Sequence, residues 1–156
     1  MKYAIFDMDD TLCTLEHRKK LASKEGRHKI NFNILFDPKL VEHDLPKDHV
    51  VELAQTLNMF DTKIIIMTAR PYYMDIATRK WLIKNNIPFD QLITKEKNKV
   101  FQKSSIWKES KLQQLLEDIS IEQIVLSIDD NKDNQAMFES YGIPVFDPLL
   151  QTNYEY

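Results

Sequence analysis

The chain has 156 residues, 43% of them hydrophobic and 29% charged, and a net charge of −3. That length predicts one domain over residues 1–156 with a core of its own, while the charge offers no bulk attraction to nucleic acid or to an anionic membrane. A single cysteine, Cys13, excludes a disulfide framework and a cysteine zinc cluster, and no apolar stretch approaches the ~20 residues of a membrane span, so a cytoplasmic protein with no membrane partner is expected.

Short apolar runs mark the strands, because a parallel sheet covered on both faces does not alternate. The first run, residues 3–6, empties onto Asp7-Met8-Asp9-Asp10-Thr11. Residues 14–45 fit no strong period and hold two basic runs, His17-Arg18-Lys19-Lys20 and Lys24-Glu25-Gly26-Arg27-His28-Lys29, followed by the aromatics Phe32 and Phe36. So long a segment directly after a strand is expected to be functional, a flap or cap over about residues 12–46. A helix is predicted over 49–58, with Asp48 as its cap and Val50, Val51, Leu53, Ala54 and Leu57 on one face.

The run at 63–67 ends on Thr68-Ala69-Arg70, and a helix over 72–85 stops at Asn85-Asn86. A helix over 105–118 is predicted with Ser104 or Ser105 as cap. The run at 124–128 ends on Asp129-Asp130, a helix over 133–141 ends at Gly142, and a last run lies at 144–146. The tail from Leu149 reads as a surface extension. Alternating strands and helices predict an α/β fold, a three-layer doubly wound, Rossmann-like parallel sheet. Ligands bind beyond the carboxyl ends of strands in such sheets. Three strands ending on acids, a hydroxyl and an arginine therefore point to one site.

The residue types at that site suit phosphoryl transfer. Asp7 can attack phosphorus and form an aspartyl-phosphate, and Asp9 can protonate the leaving alcohol and then activate water. A carboxylate attacking a phosphate needs a cation. Magnesium prefers oxygen ligands, and Asp7 with Asp129 or Asp130 would hold it. A lysine would share the charge balance. Lys108 and Lys111, one helical turn apart on the same face, are the candidates.

The motif Asp7-Met8-Asp9-Asp10-Thr11-Leu12, strand-ending Thr68, a later lysine and Asp129-Asp130 resemble the four motifs of the haloacid dehalogenase (HAD) superfamily. Within it the chain is similar to the 3′-phosphatase domain of phage-type polynucleotide kinase/phosphatase. Arg18, Thr68-Ala69-Arg70, Thr78-Arg79-Lys80-Trp81-Leu82, Lys108, Ile128-Asp129-Asp130-Asn131 and Gly142-Ile143-Pro144 carry that likeness. The resemblance implies a HAD-like fold, Asp7 as nucleophile, Asp9 as general acid/base and Thr68 as a donor to the phosphoryl oxygens. It also implies Lys108, which follows Ile106-Trp107 at the start of a helix, in preference to Lys111 as the third-motif lysine. It implies Mg2+ held by Asp7, the backbone carbonyl of Asp9, and Asp129 with Asp130. Arg18 and Arg70 fall where such phosphatases place substrate-contacting arginines, and Thr11, Lys95 and Lys111 complete the candidate substrate set. A kinase or ligase partner is compatible with such a domain.

Three departures stand out. Asp10 replaces the usual glycine of the first motif. Lys95 stands where relatives often carry an arginine, and a lysine cannot reproduce a bidentate phosphate fork. Ser104 and Ser105 stand where acids often precede the lysine. The expected activity is a Mg2+-dependent phosphomonoesterase on polynucleotide 3′-phosphate ends, with a nucleotide or other small-molecule phosphatase as the alternative. A receiver domain or a silent HAD binding scaffold is the non-enzymatic alternative. Tyr72 and Tyr73 are surface aromatics or base-stacking platforms. Trp81 and Trp107 read as core, Cys13 as a packed thiol, and the four histidines lack zinc spacing.

Overall fold

A computed structural model describes residues 1–23 and 30–149. The basic run at 24–29 and the tail from 150 onward lie outside the described residues. In chain order the elements begin with β1 (Lys2–Phe6), β2 (Cys13–Thr14), α1 (Glu16–Ala22) and α2 (Phe32–Leu35). A 3-10 turn at Pro38–His43 leads to β3 (Leu45–Pro46), α3 (Asp48–Met59), β4 (Thr62–Pro71), a 3-10 turn at Tyr72–Met74 and α4 (Asp75–Lys84). Then come β5 (Gln91–Lys95), α5 (Ser104–Leu115), β6 (Ile124–Ile128), α6 (Lys132–Ser140) and β7 (Val145–Phe146).

Five parallel strands form one sheet in the order β5-β4-β1-β6-β7. Successive side chains leave opposite faces of a strand, and this builds the layers. Ala4 and Phe6 of β1 with Ile64 and Ile66 of β4 join Val50, Ala54, Trp81 and Leu82 of α3 and α4 on one face. Ile5, Ile65 and Met67 face the other way, onto Trp107 and Leu112 of α5 and Met137 and Phe138 of α6. The three-layer, doubly wound α/β expectation is met.

Several boundaries differ from the sequence expectation. β4 runs from Thr62 through Thr68 to Pro71 instead of ending before Thr68, because Pro71 still pairs with Lys95 of β5 across an irregular stretch. β5 itself was not among the apolar runs. As an edge strand it buries few side chains, and only Leu92 and Ile93 are aliphatic. Lys47, not Asp48, occupies the N-cap position of α3, and Lys103, not a serine, that of α5, both without a side-chain capping bond. Asp48 sits instead in the first turn, where its charge suits the helix dipole. Gly142 follows α6 at φ +76, the left-handed position expected of it.

The described residues of the segment after β1 hold more secondary structure than their sequence suggests. β2 and β3 pair antiparallel and bracket it at the neck, Cys13 with Pro46 and Thr14 with Leu45. Between them α1, α2 and the 3-10 turn bury Arg18, Ala22, Leu35 and Val41. These described elements fall within the segment between β1 and α3. Its helices escape a periodicity search because they are short, four and seven residues.

Candidate active site

The register sets Phe6 against both Ile66 and Ile128, so β1, β4 and β6 deliver their following residues to one edge. Asp7 N donates to Ile128 O at 2.9 Å, the last sheet contact of the strand. The chain then closes a tight turn in which the amides of Thr11, Leu12 and Cys13 all donate to Met8 O, at 3.2, 2.9 and 3.1 Å. Met8 is buried, and Asp10 takes φ 62, in the left-handed region. That conformation explains why glycine is usual here. Aspartate is among the few other residues that adopt it with modest strain.

Lys108 Nζ reaches from the first turns of α5 to Asp7 Oδ1 and Asp129 Oδ2, 2.7 Å from each. Asp129 is fixed from behind: Asn134 Nδ2 donates to both its oxygens at 3.1 Å and Asn131 N donates to Oδ1 at 3.0 Å. Thr11 spans the two loops, its hydroxyl donating to Asp130 Oδ1 at 3.2 Å and accepting from Asp130 N at 3.1 Å. Asp7, Asp129 and Asp130 each offer a carboxylate oxygen within 4.8 Å of the others.

Burial pushes the Asp7 carboxyl up; Lys108 opposes this, while Asp129 and Asp130 reinforce it. Asp130 is pushed up to about 6 by burial, then by Asp129 and Asp10. Lys108 is buried, which works against its charge, yet Asp7 and Asp129 hold its pKa well above the usual lysine value. Three carboxylates around one lysine leave negative charge unbalanced, and every donor is an oxygen. The set fits a hard divalent cation.

Asp9 points the other way. Its Oδ1 accepts from Arg70 Nε at 2.9 Å and Nη2 at 2.5 Å and from Arg18 Nη2 at 3.1 Å. Burial would raise its pKa, but Arg70 and then Arg18 outweigh this and hold it below the usual carboxylate range. Both arginines are fully buried. Their remaining donors are spent inside the protein, Arg18 Nη1 on Leu35 O at 2.6 Å and Arg70 Nη1 on Thr78 Oγ1 at 3.0 Å.

A residue the sequence reading passed over completes this network. Asp44, at the return of the flap, accepts from Arg18 Nε at 2.8 Å and Nη2 at 2.7 Å and from Arg70 Nη2 at 2.8 Å. Trp81 Nε1 donates to its carbonyl at 2.9 Å. Two buried arginines facing one Asp9 call for a second acid, but no local pattern marks which of the chain's acids it is.

The other expected residues divide. Thr68 is buried on β4, its Oγ1 accepting from Arg70 N at 3.3 Å. Lys95 Nζ donates to Gln102 O at 2.5 Å, and burial, then Lys108 nearby, lower its pKa. Lys111 faces away from Asp7 and pairs with Glu96. Arg18 and Arg70 thus grip Asp9 and Asp44 rather than open space, and Thr11 is a loop tie. Cys13 is a buried thiol within this network, its Sγ accepting from Arg70 Nη2 at 3.4 Å and its pKa raised by burial.

The family profile described as the polynucleotide kinase PNKP phosphatase domain matches residues 1–148. The chain belongs to this family. It is a phosphatase domain of the HAD superfamily, and solved structures share its fold. A chain of the Pnkp1/Rnl/Hen1 RNA repair complex is 22% identical over 94% of this PNKP-type domain, with a TM-score of 0.71. The domain spans only 42% of that longer chain. A HAD-superfamily hydrolase from Geobacter sulfurreducens is 16% identical, with 94% of this chain and 89% of its own covered and a TM-score of 0.61. A HAD family enzyme from Bacteroides thetaiotaomicron, solved in complex with magnesium and inorganic phosphate, is 13% identical at TM-score 0.59, with 99% and 98% covered. Among curated proteins, no sequence matches this PNKP-type domain.

Proposed function

We propose that the chain is a magnesium-dependent phosphomonoesterase that removes 3′-phosphates from polynucleotide ends. The observation that carries this reading is the Asp7–Lys108–Asp129 cluster, with Asp130 beside it, at the carboxyl edge of a PNKP-type phosphatase domain. The repair complex named for one structural relative supports an end-processing role, in which a kinase or ligase partner would be at home.

Asp7, its Oδ1 held by Lys108, attacks phosphorus through a carboxylate oxygen. An oxygen–phosphorus bond forms as the bond to the ribose oxygen breaks, and Asp9 protonates that leaving oxygen. Asp9 then takes a proton from water, which attacks the aspartyl-phosphate, frees Asp7 and releases inorganic phosphate. In the resting site the arginines favour ionised Asp9, the form that accepts the water's proton in the second step; for the first step Asp9 must carry a proton taken up from solvent against that bias. Lys108 shares the charge of the transferring group. Asp7, Asp129, Asp130 and the Asp9 carbonyl would hold Mg2+, which supplies the positive charge that offsets repulsion between carboxylate and phosphate.

The test is phosphate release from 3′-phosphorylated, 5′-phosphorylated and mononucleotide substrates, with Mg2+ or with chelator, by the native protein and by Asp7→Asn. The expected result is Mg2+-dependent release favouring the 3′-phosphorylated strand, lost in Asp7→Asn. Equal or faster turnover of mononucleotides would replace this reading with a nucleotide phosphatase. Release by Asp7→Asn at the native rate would remove the nucleophile assignment.

A further inference from the structure

Beside the site, between β5 and α5, residues 95–103 hold four lysines (Lys95, Lys97, Lys99 and Lys103) and one acid, Glu96. The chain as a whole carries −3, so this short stretch concentrates charge of the opposite sign. Glu96 is already engaged, by Lys111 and by Trp107 Nε1 at 2.8 Å. Lys103 pairs with Asp133 at 2.8 Å. Lys97 and Lys99 are exposed, and neither makes an ion pair among the described residues.

The stretch is a built turn. Lys95 Nζ bonds Gln102 O at 2.5 Å, Gln102 N bonds Lys99 O at 2.9 Å, and Lys99 N bonds Glu96 O at 2.9 Å. At its tip Phe101 is 102% exposed, a fully solvated aromatic on a braced turn. Next to Lys95 in the sheet lies Pro71. The following residues, Tyr72 and Tyr73, are 44% and 46% exposed and packed edge to face at 5.4 Å. The turn joins the last strand before α5 to the helix that carries Lys108, so cations and aromatics share the carboxyl edge with Asp7.

We infer that Lys97, Lys99 and Phe101, with Tyr72 and Tyr73 alongside, form a binding rim for the single-stranded polynucleotide leading to the reacting end. Lysines meet backbone phosphates, and aromatic faces stack bases without regard to sequence. The rim rests on the polynucleotide-end reading above and explains how a chain of negative net charge holds a polyanion.

The experiment titrates a fluorescent single strand ending in a 3′-hydroxyl, which is not hydrolysed, against the native protein, Phe101→Ala and the double variant Lys97→Glu/Lys99→Glu. Hydrolysis of p-nitrophenyl phosphate, too small to reach the rim, is followed in parallel. Phe101→Ala is expected to weaken strand binding roughly 5- to 150-fold. The lysine double variant is expected to flatten the dependence of log affinity on log salt by about 1.4. Hydrolysis of the small ester should be unchanged in both. Native-like strand affinity in both variants, or no strand binding by the native protein, overturns the rim whether or not the ester is hydrolysed. Strand binding lost in the variants, with no phosphatase activity in any form, keeps the rim and sinks the phosphatase reading instead.

Discussion

Asp9 takes its hydrogen bonds from both arginines on one oxygen, Oδ1. Asp44 ties together the two arginines that grip it, so removing the Asp44 charge leaves two buried guanidiniums facing one carboxylate. Breaking a buried pair in this way costs about 3–5 kcal/mol. Asp44→Asn should therefore lower the midpoint of thermal unfolding and reduce kcat by at least ~10²-fold, while Mg2+ affinity stays near native because Asp7, Asp129 and Asp130 are untouched. A variant with native kcat would detach Asp44 from the chemistry. Asp10 poses a separate question of backbone strain. At φ 62, Asp10→Ala should cost about 1 kcal/mol and Asp10→Gly should be neutral or stabilising. The exposed Lys19 pair lost in either case is worth little. Thermal denaturation of the two variants in Mg2+ decides, and an alanine variant as stable as the glycine one would contradict the strain argument.

At the scale of elements, α5 discriminates between two lysines three residues apart. Both were placed on one helical face by spacing, yet the helix buries Lys108 against Asp7 and Asp129 and turns Lys111 out to Glu96. Lys108→Ala should lower kcat by roughly 10²–10³-fold, whereas Lys111→Ala should leave kcat within about threefold, the spread expected of a surface change. Steady-state kinetics on one phosphate ester compares them, and equal losses would refute the assignment. Between elements, Trp81 of α4 reaches the Asp44 carbonyl and fastens the flap to the sheet domain. That contact joins segments 37 residues apart, which no local pattern records.

For the whole molecule, the acidic edge links stability to pH and metal. A carboxyl whose pKa is raised in the fold holds its proton more tightly folded than unfolded, so it withdraws stability as pH rises from its unfolded value toward its folded one. Asp130, raised from 3.8 to about 6, and Asp7, raised likewise in direction, both act this way. Lys108 stays charged throughout that window and does not offset the loss. Metal-free protein should therefore lose stability from about pH 4 to above pH 6. Mg2+ binds the deprotonated acids, so its stabilising effect should grow over the same range. Thermal midpoints with and without Mg2+ at about pH 5 and about pH 8 test this; a Mg2+ shift that is larger at the lower pH would count against metal binding at these acids.

The sequence by itself determined the layered α/β fold, the acidic turn after β1, Asp129-Asp130 after β6 and the family, because apolar runs and the groups that follow them are local. It also marked the flap, by the length of a segment without period. It did not show that the flap is helical, that β5 forms the sheet edge, or that Asp44 balances Arg18 and Arg70. Those depend on which distant side chains share one buried volume. Only the tertiary structure decided that Lys108 and not Lys111 meets Asp7, and that the two arginines hold Asp9 rather than open space. A buried charge must find its partner across the fold, and spacing along the chain does not say where that partner lies.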